Sequence, residues 1–89
     1  MSTHETHPDI IKRLKRAEGH LHSIVGMLEE GRSCLDIAQQ LQAVESAIAN
    51  AKRTLVHDHI DHCLEVAVND RGRKLDDTVR EFKAISKYL

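Results

Sequence analysis

The sequence predicts an all-α fold, and three observations carry that prediction. Gly and Pro are sparse, four and one in 89 residues, so there are few places for the hairpin turns of an all-β chain. Apolar residues recur at three- and four-residue steps instead of alternating. One Phe, one Tyr and no Trp leave the core to Leu, Ile, Val and Ala. A chain of 89 residues is one small domain, taken here as 1–89.

Residues 1–7 are polar and are expected to form a mobile tail carrying His4 and His7. A first helix starts at Pro8, a residue suited to a first helical turn, with Asp9 on the favourable side of the helix dipole. Ile11, Leu14, Leu21, Ile24, Val25 and Leu28 then mark its core-facing stripe. Gly19 and Gly26 each weaken a helix by about 1 kcal/mol relative to Ala, so they are expected to permit close packing. Gly31 is the expected stop. Between Arg32 and Arg71 there is neither Gly nor Pro. With Ser33 as cap and Ile37, Leu41, Val44, Ile48, Leu55 and Val66 as apolar face, one helix of about 36 residues is expected from near Cys34 to near Asn69. A turn at 70–74 contains Gly72, and Leu75, Val79, Phe82, Ile85 and Leu89 mark a short third helix with Asp76 or Asp77 near its start.

A helix of that length spans roughly 54 Å at 1.5 Å per residue. A globule of this size is only about 25–30 Å across, so the long helix cannot be covered by its own chain. The simplest solution is an antiparallel dimer in which two long and two first helices form a four-helix bundle.

The charge balance, 13 basic against 14 acidic residues, does not by itself point to nucleic acid. Seven histidines are several times an ordinary share. No apolar run approaches the roughly 18 residues of a membrane span and no signal-peptide pattern opens the sequence, so the cytoplasm is the expected location, with no membrane partner. There a structural disulfide between Cys34 and Cys63 is not expected, and a metal or redox role gains weight.

His59 and Cys63 are four apart and share a helical face. Cys34 lies close to the same face, because 25 residues amount to almost seven full turns. Along one axis, however, Cys34 and His59 stand about 37 Å apart, beyond any shared metal bond of ~2.0–2.3 Å. If two long helices cross antiparallel near Ala47 and Ile48, Cys34 of one subunit comes level with His59 and Cys63 of the other. The dimer then holds two equivalent sites, one per protomer.

These motifs resemble the copper-sensing operon repressor (CsoR/RcnR) family of bacterial metal-sensing repressors. The resemblance rests on the Cys34–His59–Cys63 spacing and on Arg13-Leu14-Lys15-Arg16, Gly19-His20-Leu21, Cys34-Leu35-Asp36-Ile37 and Asp58-His59-Ile60-Asp61-His62-Cys63, and it spans essentially the whole chain. It implies an all-helical dimer of dimers that binds operator DNA without metal and is released by metal, derepressing efflux genes. It also implies the effector. Copper(I) sensors use a trigonal set matching Cys34, His59 and Cys63, whereas nickel and cobalt sensors add an N-terminal nitrogen or histidine. Here His4, His7 and His62 are further candidate ligands, the His-rich opening is similar to the nickel- and cobalt-responsive branch, and Ser33 stands where copper sensors carry a Tyr. The expected effector is therefore Ni(II)/Co(II) or Cu(I). The alternative is a repressor on the same scaffold that senses persulfide, oxidation or aldehyde through its thiols; a metal-storage or chaperone protein has less support.

The DNA expectation rests on Lys12, Arg13, Lys15 and Arg16 in the first helix and Lys52 and Arg53 midway along the second. By resemblance Arg13 matches a DNA-binding Arg. The family's basic residue on the second helix falls near Asn50 here, which leaves Lys52 and Arg53 as substitutes. An enzyme is not expected, because no nucleophile stands with a base and an orienting group.

Overall fold

The computed structural model describes residues 6–69 and 74–89, with side-chain surroundings given at 6–65 and 76–89. These residues form three α-helices, α1 (His7–Glu29), α2 (Cys34–Asn69) and α3 (Lys74–Ser86), with no strand among them. The expected all-α class is observed, and the long helix has its expected bounds. The expected mobile tail falls largely outside the described residues, as does the turn before Lys74. The tail's last residue, His7, is the first of α1.

Local chemistry accounts for the helix ends. Pro8 lies in the first turn of α1, where its missing N–H leaves no bond unmade, and Asp9 follows it. At the other end Gly31 adopts φ 76°, the left-handed conformation that a residue without Cβ takes at little cost. Arg32 N–H donates to the Met27 carbonyl (3.0 Å) and Gly31 N–H to that of Leu28 (3.1 Å), the paired bonds of a Schellman stop. Two residues later α2 begins, with the Asp36 N–H donating to Ser33 Oγ at 3.1 Å, the N-cap bond expected of Ser33.

Helices α1 and α2 form an antiparallel hairpin whose seam follows a seven-residue repeat. Ile10, Ala17 and Ile24 are buried on α1, and Ile37, Val44 and Ala51 on α2. A repeat of seven is the coiled-coil period, and it makes a narrow seam. This corrects the expected core. Of the stripe assigned to α1 only Ile24 is buried within the protomer, whereas Ile11, Leu14, Leu21, Val25 and Leu28 are 44–58% exposed. On α2, Leu41, Ile48 and Leu55 are exposed in the same way. Each lies four residues beyond a seam residue, so the three line up on one flank of it. The helices are apolar over a wider arc than one neighbour can cover.

The expectation for the glycines is corrected too. A Cβ added at Gly19 or Gly26 would meet nothing within 4 Å, so neither glycine serves close packing within the protomer. The fold is a slab of 60 × 23 × 13 Å, hardly more than one helix thick. Helix α3 lies against the distal half of α2, which projects beyond α1. Among the described residues no helix is long and apolar enough to cross a membrane.

Candidate functional site

The thiols stand at opposite ends of α2. Cys34 is its first residue and is exposed; Cys63 is buried, 4% exposed, in the distal half. One turn before Cys63, His59 Nε2–H donates to Glu81 Oε1 on α3 at 3.0 Å. A cleft of about 240 Å³ lined by His59, Glu81, Ala84, Ile85 and Tyr88 opens beside that pair. Burial pushes the Cys63 thiol above its ordinary range, and the negative charge of Glu81 pushes it further in the same direction. Cys63 is thus held as a neutral thiol around pH 7.

Glu81 was not legible as a partner in the sequence. It is 22 positions from His59 and on another helix, and only the return of α3 along α2 brings the two together. Its place one turn before Ile85, which lines the same cleft, is the only signal.

Within one protomer, His59 and Cys63 come together and Cys34 does not join them. Among the described residues no group of three His, Cys, Asp or Glu is arranged to hold a metal ion. His62 is half-buried beside the pair. His7 stands at this end of the hairpin as well, because Thr6 Oγ1 donates to Asp58 Oδ2 at 2.7 Å and ties the start of α1 one residue ahead of His59. His4 lies outside the described residues.

The basic residues divide between the two sides of the slab. Lys12, Arg13 and Arg16 line a cleft of about 460 Å³ between α1 and α2, together with Asp9, His20 and Asn50. Arg13 Nε–H donates to Asp9 Oδ2 at 2.8 Å, and Arg53 Nη1–H to Asn50 Oδ1 at 2.6 Å on the cleft's rim. Arg53 therefore brings its charge to the position where resemblance expected a basic residue. Lys15 stands elsewhere: it borders a shallow apolar groove formed by Ile11, Leu14, Leu21 and Ile48. Lys52 is exposed and lies about 200° around α2 from Asn50, away from the basic cleft. His20, which sequence reasoning quoted only as part of a motif, lines the cleft and is bonded through Nε2 to Gln40 Oε1 on α2 at 2.6 Å.

Both the sequence and the fold are similar to those of known proteins. The chain is similar to the copper-sensing transcriptional repressor CsoR of Mycobacterium ulcerans (strain Agy99), with 44% identity over 64 residues, 71% of this chain and 55% of that one. It is also similar to the copper-sensing transcriptional repressor RicR of Mycobacterium tuberculosis (strain ATCC 25618 / H37Rv), 37% identical over 73 residues, 82% of this chain and 76% of the relative. The chain spans about half the length of the CsoR relatives from Mycobacterium that it matches, 55% and 50% in two of them. Among solved structures, the nickel-responsive transcriptional regulator InrS superposes with a TM-score of 0.83 at 26% identity, covering 100% of this chain and 99% of that one. A profile described as metal-sensitive transcriptional repressor matches residues 6–87. The chain belongs to the metal-sensitive transcriptional repressor family.

Proposed function

We propose that this protein is a metal-responsive repressor that holds operator DNA when metal-free and releases it on binding Ni(II)/Co(II) or Cu(I), so that metal-efflux genes are expressed. One observation carries the proposal. A single unbroken helix separates exposed Cys34 from the His59–Cys63 pair, while the apolar flank of both α1 and α2 is left uncovered. A second copy laid antiparallel on that flank covers it and brings Cys34 level with His59 and Cys63 of the partner subunit. Two such dimers would form the tetramer expected from resemblance.

The donor set fits such an ion. Two thiolates and an imidazole suit copper(I) and the borderline divalent ions, and the relatives named above are copper- and nickel-responsive. Cys34, Cys63 and His59 would hold a cation of this class, the two thiols giving up their protons as they ligate it. The chain's own residues do the rest. Glu81 holds His59 through Nε2 and so fixes the orientation of the imidazole one turn before Cys63. Asp58, bonded to Thr6, connects the site to the first turn of α1, the helix that carries Lys12, Arg13 and Arg16. His7 and His62 are the added nitrogen donors for a nickel or cobalt ion, with His4 a further candidate.

On the DNA side, Lys12, Arg13, Arg16 and Arg53 contact phosphates, with Lys15 and Lys52 supplying charge outside the cleft. Drawing Cys34 towards the partner's His59 and Cys63 moves two long helices relative to each other, and with them two basic clefts. Their spacing must match the duplex, so the movement weakens binding. A coupling of about 1–3 kcal/mol corresponds to roughly 5–150-fold weaker DNA affinity in the metallated protein.

The test is direct. A duplex enriched from a random pool by the metal-free protein is bound, and Ni(II), Co(II) and Cu(I) are titrated in while fluorescence anisotropy is followed. At least one ion should dissociate the complex. If none does, or if any tightens it, the proposal is wrong; the ion acting at the lowest free concentration names the effector.

A further inference from the structure

We infer that His20 is a further phosphate-binding group of the basic cleft, and that its protonation sets how tightly the metal-free protein holds DNA. The inference rests on the DNA-binding reading above and adds a residue and a pH dependence to it.

Three observations converge on this residue. Arg13, Arg16 and His20 follow one another at three- and four-residue steps, so they form one stripe on α1, and all three line the same cleft. The stripe is seven residues long, roughly 10 Å, which is about three phosphates at ~3.4 Å of axial rise per strand. Finally, the ring is not a loose surface group. It is half-buried and tied to α2 by its Nε2 bond to Gln40 Oε1 at 2.6 Å.

That bond decides what protonation does. With Nε2–H donating to Gln40, the neutral ring carries its lone pair on Nδ1, an acceptor with nothing to offer a phosphate oxygen. A second proton goes to Nδ1 and turns it into a charged donor, while the bond to Gln40 keeps the ring in place.

The charged groups lining the cleft around His20 come from α1: Asp9, Lys12, Arg13 and Arg16. Asp9 is held by Arg13 at 2.8 Å. From α2 the cleft receives Ala47 and Asn50, both uncharged, and the ring edge meets the neutral amide of Gln40. The lining thus offers His20 no carboxylate partner of its own. An incoming phosphate is the anion that would favour the imidazolium, at the cost of three neighbouring cations. Proton uptake and DNA binding are therefore linked.

The test measures binding of metal-free, chelator-treated protein to the duplex enriched from a random pool, at about pH 5.5 and about pH 8, across a salt series. Wild type should bind about tenfold tighter at the lower pH for each protomer in contact. Its slope of log K against log salt should steepen by about 0.9 per contacting protomer. His20→Gln keeps a polar group of similar reach without the charge; it should match wild type at the higher pH and lack the added tightening at the lower. The other histidines, out of seven, remain in that variant, so the difference isolates His20. His20→Arg, charged at both values, should show the steep slope throughout. If His20→Gln follows the wild-type pH dependence, or His20→Arg leaves the slope at high pH unchanged, the inference falls while DNA binding stands. If wild type binds no duplex at either pH, the DNA-binding reading falls first and takes the inference with it.

Discussion

Cys63 is a thiol that the fold keeps protonated, and a metal ligand must be a thiolate. Metal binding at the proposed site therefore releases the Cys63 proton, and apparent affinity must rise with pH until the raised pKa of that thiol is passed. Competition titrations against a chelator of known proton linkage should show affinity climbing by about tenfold per pH unit for each proton released between about pH 6 and 8. A flat profile would mean that Cys63 is not a ligand. Position also separates the basic residues. Arg16→Ala, in the cleft, should weaken duplex binding and flatten the salt slope by about 0.9 per contacting protomer; Lys52→Ala, on another face of α2, should change the slope less. Equal slopes for the two variants would remove the cleft from the DNA contact. At this scale much of the candidate site was legible. Cys34, His59 and Cys63 were visible in their spacing, because 3.6 residues per turn fixes which residues share a face. Lys12, Arg13 and Arg16 were visible as a cluster, but proximity in sequence drew in Lys15, which one further 100° step carries to the apolar groove. Glu81 was hidden because its meeting with His59 depends on how α3 folds back.

The helices are set by their ends more than by their middles. Gly31 at φ 76° closes α1, and a Cβ there would meet no atom within 4 Å, so Gly31→Ala carries only the backbone cost of a left-handed residue, about 1 kcal/mol of stability. Gly19 is helical with equally open surroundings, and Gly19→Ala should stabilise by about 1 kcal/mol through helix propensity. Chemical denaturation of the two variants should move the midpoint in opposite directions. Stabilisation by Gly31→Ala would refute the Schellman stop, and destabilisation by Gly19→Ala would mean that another copy packs on that face. The bounds of α2 were readable because nothing between Arg32 and Arg71 can break a helix, and Ser33 caps it as expected. The buried face was not. The periodicity of Leu14, Leu21 and Leu28 says that a face is apolar, but not which neighbour covers it. Within the protomer, the smaller and β-branched residues Ala17, Ile24, Val44 and Ala51 make the seam.

A slab 13 Å thick cannot shield large apolar side chains on both faces, and Leu14, Leu21, Leu41 and Ile48 stand 44–45% exposed on one of them. Water contact over so much aliphatic surface disfavours an isolated protomer. A two-fold partner on that face is the arrangement from which the metal site follows, so assembly and site can be tested in one experiment. Cys34→Ser and Cys63→Ser each spoil every site in a homodimer, whether sites lie within or between subunits. Mixing the two variants under conditions of subunit exchange separates the cases. In a mixed dimer one site keeps Cys34 from one protomer and Cys63 from the other, while its mate loses both. Random pairing makes half of the dimers mixed, each with one intact site of two, so about one quarter of wild-type capacity should return. Sites built within single protomers would return none, since no chain in the mixture carries both thiols. Leu14→Glu should abolish that recovery by placing charges at the shared face, and sedimentation should show the same variant as a smaller species. Recovery of metal binding by a mixture that sediments as monomer would contradict the two-fold assembly.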